Sequence, residues 1–286
     1  MAQADQSKKS SPWGTLGRGA LLSCLESATL GQPFEVWKTR MGRMRTESTM
    51  QSFNMIQKEQ GVGGFWKGVG PKMFECSTKG AVLLFTAEGI KEGCDSLGLH
   101  AGVTGFIAGA GGGVAQTIVM GPSSFLVTAV VTGGPNQTVA GTFSTALKNH
   151  GIAGLYPGGM AVAFRQGSNW ASRMGFNELM KPVFASYWHG DAKAKLTTSQ
   201  EVVCGICAGI FSCWNHPFDV ARIEGQARAI SGEKALPMTG IIRAVHAEYG
   251  MAGLFQGIIP RCLFSINQTL FMITGAKILK EFMEKR

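Results

Sequence analysis

Charged side chains are scarce in this sequence of 286 residues. Asp, Glu, Lys and Arg make up 16% of it, whereas about 25% is usual for a soluble domain. Glycine is abundant, with 40 residues and no collagen-like period. Few charges and many glycines are typical of membrane helices whose backbones pack closely through small residues. The composition therefore favours a helical membrane protein.

Signatures of catalysis and of metal binding are also missing. There is no Walker loop, GxSxG elbow or kinase motif set, and the five histidines are dispersed, without an HxxxH or Cys/His cluster. The seven cysteines are odd in number and scattered through apolar stretches, which argues against a disulfide framework. The CxxC at 204–207 has no second ligand pair. We therefore expect no enzyme activity, no metal ion and no cofactor.

The first twelve residues lack the features of a targeting peptide. They have neither the apolar core of a secretory signal nor the Arg-rich amphipathic pattern of a transit peptide, so we expect a polar N-terminal segment at 1–12. The formal net charge of +9 allows three kinds of partner, namely nucleic acid, an anionic membrane surface or an anionic substrate. The net charge alone does not distinguish these three kinds of partner.

A proline motif occurs three times, and an aromatic-x-Gly motif follows each copy. The proline motifs are Pro33-Phe34-Glu35-Val36-Trp37-Lys38, Pro122-Ser123-Ser124-Phe125-Leu126-Val127 and Pro217-Phe218-Asp219-Val220-Ala221-Arg222, and the second motifs are Trp66-Lys67-Gly68, Tyr156-Pro157-Gly158 and Phe255-Gln256-Gly257. The prolines are 89 and 95 residues apart, and the motif glycines 90 and 99. Such repetition indicates three copies of one two-helix unit, which we place at 13–93, 94–190 and 191–286 in a single domain.

Each unit contains two segments long enough to span a membrane, which takes about 20 residues. The six segments are 13–40, 69–92, 101–131, 159–187, 199–226 and 257–283. Polar stretches at 42–64, 132–153 and 228–252 carry short amphipathic patterns that predict helices at the membrane surface. The first stretch is the most basic, so the positive-inside tendency places these stretches inside and both termini on the opposite face.

At these motifs the sequence resembles the mitochondrial carrier family, in which Pro-x-acid-x-x-base and a later aromatic-base-Gly recur in three repeats. The resemblance covers about residues 13 to 283. It implies an all-α protein of the mitochondrial inner membrane: a monomer with six transmembrane helices around a water-filled cavity, matrix-side surface helices and alternating access. The stretches 31–36, 75–85 and 165–173 are similar to those of carriers that exchange citrate for 2-oxoglutarate, and the resemblance implies that activity.

The second helices of the three units can be compared by counting forward from the motif glycines. Positions four, seven and eleven residues on share one helical face, because steps of three and four return to the same side. The resulting layers are Lys72, Val162 and Arg261; Glu75, Arg165 and Phe264; and Lys79, Asn169 and Gln268. Ionisable groups inside a membrane are costly unless they face a wet cavity or a partner. Cations from three units would suit a carboxylate substrate.

The layers and the resemblance together place the substrate-binding residues at Glu75, Lys79, Leu83, Arg165, Gln166, Asn169 and Arg261. Alternatives remain open. Glu75 and Lys79 have the spacing of an ordinary helical ion pair, and Arg261 equally suits a lipid phosphate or helix packing. We also predict that Glu75 balances charge and takes up a proton during exchange. Glu26, within an apolar run, either faces the cavity or reaches a neighbouring hydroxyl.

The resemblance further implies ion-pair gates at both ends of the cavity. The expected matrix gate consists of Glu35, Lys38, Asp219, Arg222 and Gln226, and the expected cytosolic gate of Glu88, Lys91, Glu178 and Lys181. On the matrix side only Lys38 and Asp219 are expected to pair, since Glu35 would face Val127 and Arg222 would face Ser124. On the cytosolic side Glu88 would pair with Lys181, and Lys91 would face Ala276. Because exposed pairs contribute about 0–1 kcal/mol each, both gates are predicted to be weak.

Helix starts after the motif glycines present free N–H groups, which bind phosphate. The resemblance implies cardiolipin there, held by Trp66, Lys67, Gly68, Tyr156, Gly158 and Gly257, although Trp66 and Tyr156 would suit an interfacial belt without a specific lipid.

Two other functions remain open. One is a carrier of the same fold for another dicarboxylate, tricarboxylate or amino acid. The other is a basic membrane protein that holds nucleic acid. The stretches 42–64 and 228–252 carry few Lys and Arg, whereas a surface that tracks phosphates needs many, so we do not expect nucleic acid to be the main partner.

Overall fold

The computed structural model describes the backbone of residues 12–134 and 137–284. The predicted polar segment 1–12 lies almost entirely outside these ranges. Within them the chain consists of helices, turns and short connections, and it contains no strand. The all-helical class predicted from the sequence is therefore confirmed.

The same order of elements occurs three times along the chain. In each of these three rounds of elements, two consecutive helices are followed by a short helix and then by one long helix. The first round contains α1 (Pro12–Glu26), a π-helical turn (Ser27–Gly31), α2 (Gln32–Arg43), α3 (Thr49–Gln60) and α4 (Val69–Ser96). The second contains α5 (Ala101–Ala115), α6 (Thr117–Thr132), α7 (Val139–His150) and α8 (Gly159–His189). The third contains α9 (Thr198–Phe211), a 3₁₀ turn (Ser212–Asn215), α10 (His216–Ile230), α11 (Met238–Leu254) and α12 (Ile258–Glu284).

The first two helices of each round form one interrupted segment, broken near the motif proline. A π-helical turn separates α1 from α2, and a 3₁₀ turn separates α9 from α10. Among the described residues, no helix taken singly combines the length and the apolar character of a membrane span, whereas α5 and α6 meet both criteria as a pair bent by 55°.

The aromatic residue of the second motif compensates for the proline of the first. A proline lacks the N–H that would bond a carbonyl of the preceding turn. Tyr156 Oη donates to the Ile118 carbonyl at 2.7 Å, four residues before the second motif proline. Trp66 Nε1 donates to the Ala28 carbonyl at 2.7 Å, five residues before the first motif proline, which is the spacing of a π-helical turn. The two motifs thus complete one hydrogen-bonded unit in the first two rounds.

The long segments form a closed ring in the order α1, α4, α5, α8, α9 and α12, with α12 packed against α1. Small residues allow α5 to approach α8 at backbone distance. A Cβ atom at Gly109 would collide with the Trp170 carbonyl, and one at Gly113 with the Gln166 carbonyl.

The ring closes at one end, where α2, α6 and α10 contact one another in all three pairings. The short helices α3, α7 and α11 pack there against α2, α6 and α10 respectively, so we call this end the loop side. Each short helix is held by an apolar cluster, such as Ile56 against Trp37 and Met41. The opposite end, where α1 begins and α12 ends, is called the terminal side.

Candidate substrate site and gate

Two connected spaces lie inside the ring. The larger, of about 740 Å³, is lined by residues of α1, α4, α8, α9 and α12. The smaller, of about 80 Å³, is called the chamber and is lined by charged residues that include Glu35 and Lys38 of the loop side. Lys79, Arg173 and Gln268 line both spaces. The cavity therefore narrows towards the loop side and ends in a charged floor.

The structure brings the predicted substrate-binding residues together. Six of them line the chamber, namely Glu75, Lys79, Arg165, Gln166, Asn169 and Arg261. The seventh, Leu83, lines the larger space. They come from α4, α8 and α12, one long helix of each round, because these helices present the same face to the axis of the ring.

On α4 the chamber holds a carboxylate between two ammonium groups. Glu75 is 1% exposed, and its Oε1 lies 2.8 Å from Lys72 Nζ and 3.4 Å from Lys79 Nζ. The ordinary helical pair left open by the sequence is thus present. The Lys79 side chain nevertheless stays 16% exposed and lines both spaces, so it can also contact a ligand.

On α12 the Arg261 guanidinium faces the inside of the protein, which removes the alternative of a lipid phosphate. It donates to the Asn215 side-chain oxygen and lies 3.3 Å from His216 Nδ1. His216 Nε2 is 2.8 Å from the Gln256 carbonyl, so the neutral ring donates there and accepts from Arg261 at Nδ1. These two neighbours fix the direction of the guanidinium.

Asp219 of α10 lies fully buried beneath the chamber among four cations. Its Oδ1 is 2.9 Å from Arg222 Nε and 3.5 Å from Arg165 Nε. Its Oδ2 is 3.2 Å from Lys38 Nζ and 3.8 Å from Arg261 Nη1. The contact with Lys38 is the gate pair that the sequence predicts. The contacts with Arg165 and Arg261 were not predicted, and they link the predicted gate pair directly to two of the predicted substrate-binding residues.

The prediction that only one pair survives on the loop side is wrong. Glu35 does not face Val127 alone, because its Oε1 lies 3.5 Å from Arg222 Nη2 and its Oε2 lies 2.8 Å from Lys38 Nζ. The prediction of exposed pairs also fails, since the Lys38 and Asp219 side chains are 5% and 0% exposed. Two carboxylate oxygens can serve two cations, and the long arginine side chain reaches across from the neighbouring helix.

Gln226 extends this network to α6. Its Oε1 accepts from Arg222 Nη1 at 3.2 Å and from Thr128 Oγ1 at 2.8 Å. Its Nε2 donates to Ser124 Oγ at 2.9 Å. Arg222 therefore reaches Ser124 through an amide, as the position of Gln226 one turn further along α10 allows. The gate joins all three rounds despite the uncharged second motif.

The residues predicted for the cytosolic gate are apart in this structure. Glu88, Glu178 and Lys181 are exposed, and in the part of the chain that the structure describes none of them, nor Lys91, forms an ion pair within 4 Å. The side chain of Ala276, the expected neighbour of Lys91, lies outside the described residues. Among the described residues, ion pairs therefore close the ring on the loop side, and none does so between the residues predicted for the terminal side.

The residues predicted to bind lipid have clear structural roles. Gly68, Gly158 and Gly257 have φ values of 75°, 68° and 87°, the left-handed region that favours glycine, and each directly precedes a long helix. Trp66 and Tyr156 donate to carbonyls freed by prolines. The Lys67 carbonyl accepts from Gln32 Nε2. Cardiolipin binding at these helix starts stays a prediction.

Arg173 was missed as a candidate, although its spacing could have revealed it. It follows Arg165 and Asn169 at intervals of four residues, and so shares their helical face. Its guanidinium donates to Ser265 Oγ and, at 3.3 Å, to Gln268 Oε1. It forms no ion pair with any described carboxylate, although it lines both spaces. Arg173 is therefore a cation at the chamber mouth whose hydrogen-bond partners in the described part of the chain, Ser265 and Gln268, are neutral.

Positive charge predominates around the chamber. Lining residues and their direct ion-pair partners include seven cations and three carboxylates, an excess of four positive charges: Lys38, Lys72, Lys79, Arg165, Arg173, Arg222 and Arg261 against Glu35, Glu75 and Asp219. Over residues 12–134 and 137–284, no group of three or more His, Cys, Asp or Glu is arranged to hold a metal ion. The chamber suits an anion with several carboxylates.

Comparison with known proteins agrees with this geometry. The model of the family described as "Mitochondrial carrier protein" matches residues 8–95, 101–188 and 194–286. The "Citrate/oxoglutarate carrier protein" of Saccharomyces cerevisiae is 32% identical over 97% of this chain and 92% of its own length. "Mitochondrial citrate transporter B" of Aspergillus niger is 26% identical over 90% and 89%. The human "Mitochondrial 2-oxodicarboxylate carrier" is 30% identical over 82% of each chain. The chain belongs to the mitochondrial carrier family.

Proposed function

We propose that this protein is an antiporter of the mitochondrial inner membrane that exchanges citrate for 2-oxoglutarate by alternating access. The observation that carries the proposal is the chamber to which each round contributes a cation, Lys79, Arg165 and Arg261. Citrate has three carboxylates, and an arginine can hold a carboxylate through two parallel hydrogen bonds. The names of the relatives, which include citrate and oxoglutarate carriers, support the same substrate class.

Asp219 explains how binding is coupled to opening. A substrate that contacts Arg165 and Arg261 competes with Asp219, which lies 3.5 and 3.8 Å from them. The gate carboxylate then loses two of its four cations and stays paired with Lys38 and Arg222, so the loop side is held less strongly. Opening with an empty chamber would instead leave buried arginines without an anion, which is costly. The loop side therefore opens with substrate bound, and the result is exchange.

Arg173 would favour a tricarboxylate over a dicarboxylate. It stands at the chamber mouth with only hydroxyl and amide partners, so a third carboxylate can bind it without displacing a protein carboxylate. A ligand with two carboxylates fills the Arg165 and Arg261 positions and leaves Arg173 as it is in the empty site.

The membrane arrangement is part of the proposal. We place the six long segments across the membrane, with the loop side towards the matrix, both termini in the intermembrane space, and the units 13–93, 94–190 and 191–286 in one monomeric carrier domain. Large exposed apolar side chains on these segments, such as Phe74 at 63% and Ile118 at 68%, suit contact with lipid. Cardiolipin would bind at the N–H groups that start α4, α8 and α12.

Uptake of labelled citrate into proteoliposomes loaded with different anions tests the function. We expect uptake against internal citrate and 2-oxoglutarate, and none against an amino acid or an empty lumen. Arg165→Gln should abolish it. Arg173→Gln should raise the half-saturating citrate concentration about tenfold or more, since a hydrogen bond to a charged group contributes about 1.5–3 kcal/mol, and change that of 2-oxoglutarate far less.

Lys58→Gln is the matched control, because it removes an exposed charge of α3, a helix that contributes no residue to the chamber lining. It should leave uptake unchanged. Uptake that survives Arg165→Gln, or that runs faster against another internal dicarboxylate than against 2-oxoglutarate, contradicts the proposed exchange.

A further inference from the structure

One buried carboxylate plays no part in the exchange described above. Glu26 is the last residue of α1 and is 2% exposed. The π-helical turn Ser27–Gly31 follows it directly, and such turns often occur at functional sites. A Cβ atom at Gly31 would lie 2.6 Å from Glu26 Oε1. The carboxyl group therefore occupies the space beside Gly31, and a larger residue there would have to displace it.

Both hydrogen-bond partners of Glu26 among the described residues are neutral. Its Oε1 accepts from Asn267 Nδ2 of α12 at 3.0 Å, and its Oε2 lies 3.5 Å from Ser27 Oγ. In the part of the chain that the structure describes, no cation lies within 4 Å of it. By contrast, Glu75 is held between two lysine ammonium groups at 2.8 and 3.4 Å. Glu26 is thus a buried carboxyl group without a counter-ion in contact.

Charged and polar groups from two other helices surround Glu26. From α4 the charges of Lys72 and Lys79 act on it from beyond contact distance, and the Cys76 thiol lies 2.9 Å from Oγ of the adjacent Ser27. From α12 Glu26 faces the neutral Asn267, and its own segment supplies Ser27. A buried charge without a partner in contact is costly, whereas a protonated carboxyl group with hydrogen bonds is not. The site therefore accepts a proton more readily than Glu35, Glu75 or Asp219.

A short chain of hydrogen bonds serves both protonation states. Ser27 Oγ lies 2.9 Å from Cys76 Sγ, and either atom can donate. When Glu26 is ionised, the Ser27 hydroxyl donates to it. When Glu26 is protonated, its O–H donates to Ser27, and the hydroxyl hydrogen turns to Cys76. Cys76 lines the larger space, so one hydroxyl and one thiol separate the carboxyl group from the cavity.

We propose that Glu26 binds the proton that accompanies citrate. This inference rests on the proposed exchange. Citrate carries one carboxylate more than 2-oxoglutarate, so the exchange by itself moves one net charge. One proton enters the cavity with citrate, adds to a Glu26 oxygen, crosses with the substrate and leaves on the other side. On the return step with 2-oxoglutarate, Glu26 is ionised. The role predicted from the sequence for Glu75 is therefore assigned to Glu26.

A pH-sensitive dye trapped in citrate-exchanging proteoliposomes tests the proposal. External citrate exchanged for internal 2-oxoglutarate should acidify the lumen by about one proton per labelled citrate. Glu26→Gln should reduce this ratio to near zero and make the exchange respond to an imposed membrane potential. Glu201→Gln, an exposed carboxyl group on α9, should keep the ratio. A ratio unchanged in Glu26→Gln overturns the proposal.

The outcome for the unmodified protein separates the two proposals. Absence of citrate uptake against 2-oxoglutarate overturns both, whereas uptake without acidification overturns the proton site alone. If Glu26→Gln does not exchange at all, Ser27→Ala decides. It should slow 2-oxoglutarate/2-oxoglutarate exchange about fivefold more than citrate/citrate exchange, because ionised Glu26 loses a hydrogen bond to a charged group, whereas protonated Glu26 loses only a weaker neutral one. Equal slowing of both exchanges refutes the role of Glu26.

Discussion

Removing one buried carboxylate from the loop side should destabilise the protein strongly. Glu224 of α10 is 3% exposed and binds three arginines, with N–O distances of 2.8 Å to Arg43, 2.9 Å to Arg45 and 2.9 Å to Arg228. Arg43 and Arg45 belong to the first round and Glu224 to the third, so this cluster ties two rounds together beyond the gate. Glu224→Gln keeps the size of the side chain and removes its charge.

The size of this destabilisation depends on which carboxylates each arginine still contacts after the substitution. Arg43 and Arg228 retain Glu233, at 2.8 and 3.5 Å. Arg45 is only 7% exposed, and among the described residues it would keep no carboxylate partner, only the Tyr249 ring at 5.7 Å. Breaking a buried ion pair by removing one partner costs about 3–5 kcal/mol. Because only one arginine is left without a carboxylate partner, we expect a cost at the lower end of this range, about 3 kcal/mol. This cost corresponds to a Tm lower by about 6 °C.

Thermal unfolding of the detergent-purified protein, followed by tryptophan fluorescence, measures this effect. Glu233→Gln is the matched control. It removes the same charge from the same cluster, but the Glu233 side chain is 38% exposed, so it should cost no more than about 1 kcal/mol. Equal Tm values for the two variants would refute the reasoning, because burial would then not decide the strength of the cluster.

Two further predictions concern packing and pH. Gly113→Ala should lower Tm clearly more than Gly111→Ala, because the added methyl group at 113 meets the backbone of α8, whereas at 111 it meets only the movable end of a side chain; equal losses would mean that α5 and α8 can separate freely. The hydrogen-bonded Arg40 guanidinium holds the pKa of Glu47 below its usual value of 4.5. This pair therefore stabilises the protein above about that pH and is lost as the pH falls further. Glu47→Gln should flatten the decrease of Tm between about pH 6 and pH 3, and an unchanged profile would contradict this role.

The helical bounds and the chamber could be predicted because local signals determine both. Prolines and glycines mark where helices break and begin, and their repetition gives the same order of elements three times. Gly68, Gly158 and Gly257 precede the first turn of α4, α8 and α12. Positions at equal distances after these glycines therefore lie on equivalent faces of the three helices. Counting from the glycines reaches Lys79 and Arg261 correctly, because helical spacing is regular over three turns.

Apart from the pair of Lys38 with Asp219, the contacts between rounds could not be predicted in the same way. The pair of Glu35 with Arg222 depends on how closely α2 approaches α10, which no motif records. A rule that assigns one base to each acid also misses a carboxylate such as Asp219 that serves four cations. The surroundings of Glu26 depend on a π-helical turn, whose additional residue changes the register of the helix without a sequence signal of its own.

The position of Asp219 has a consequence for the electrical insulation of the membrane. When no substrate is present, the strongest cationic positions of the chamber already hold a carboxylate that is covalently part of the protein. A chloride or hydroxide ion brings a single charge, and it cannot replace contacts with four cations at once. Under the proposed exchange, only a ligand with several carboxylates competes with Asp219, and a side chain of the protein itself would keep small inorganic ions from leaking across the membrane when no substrate is bound.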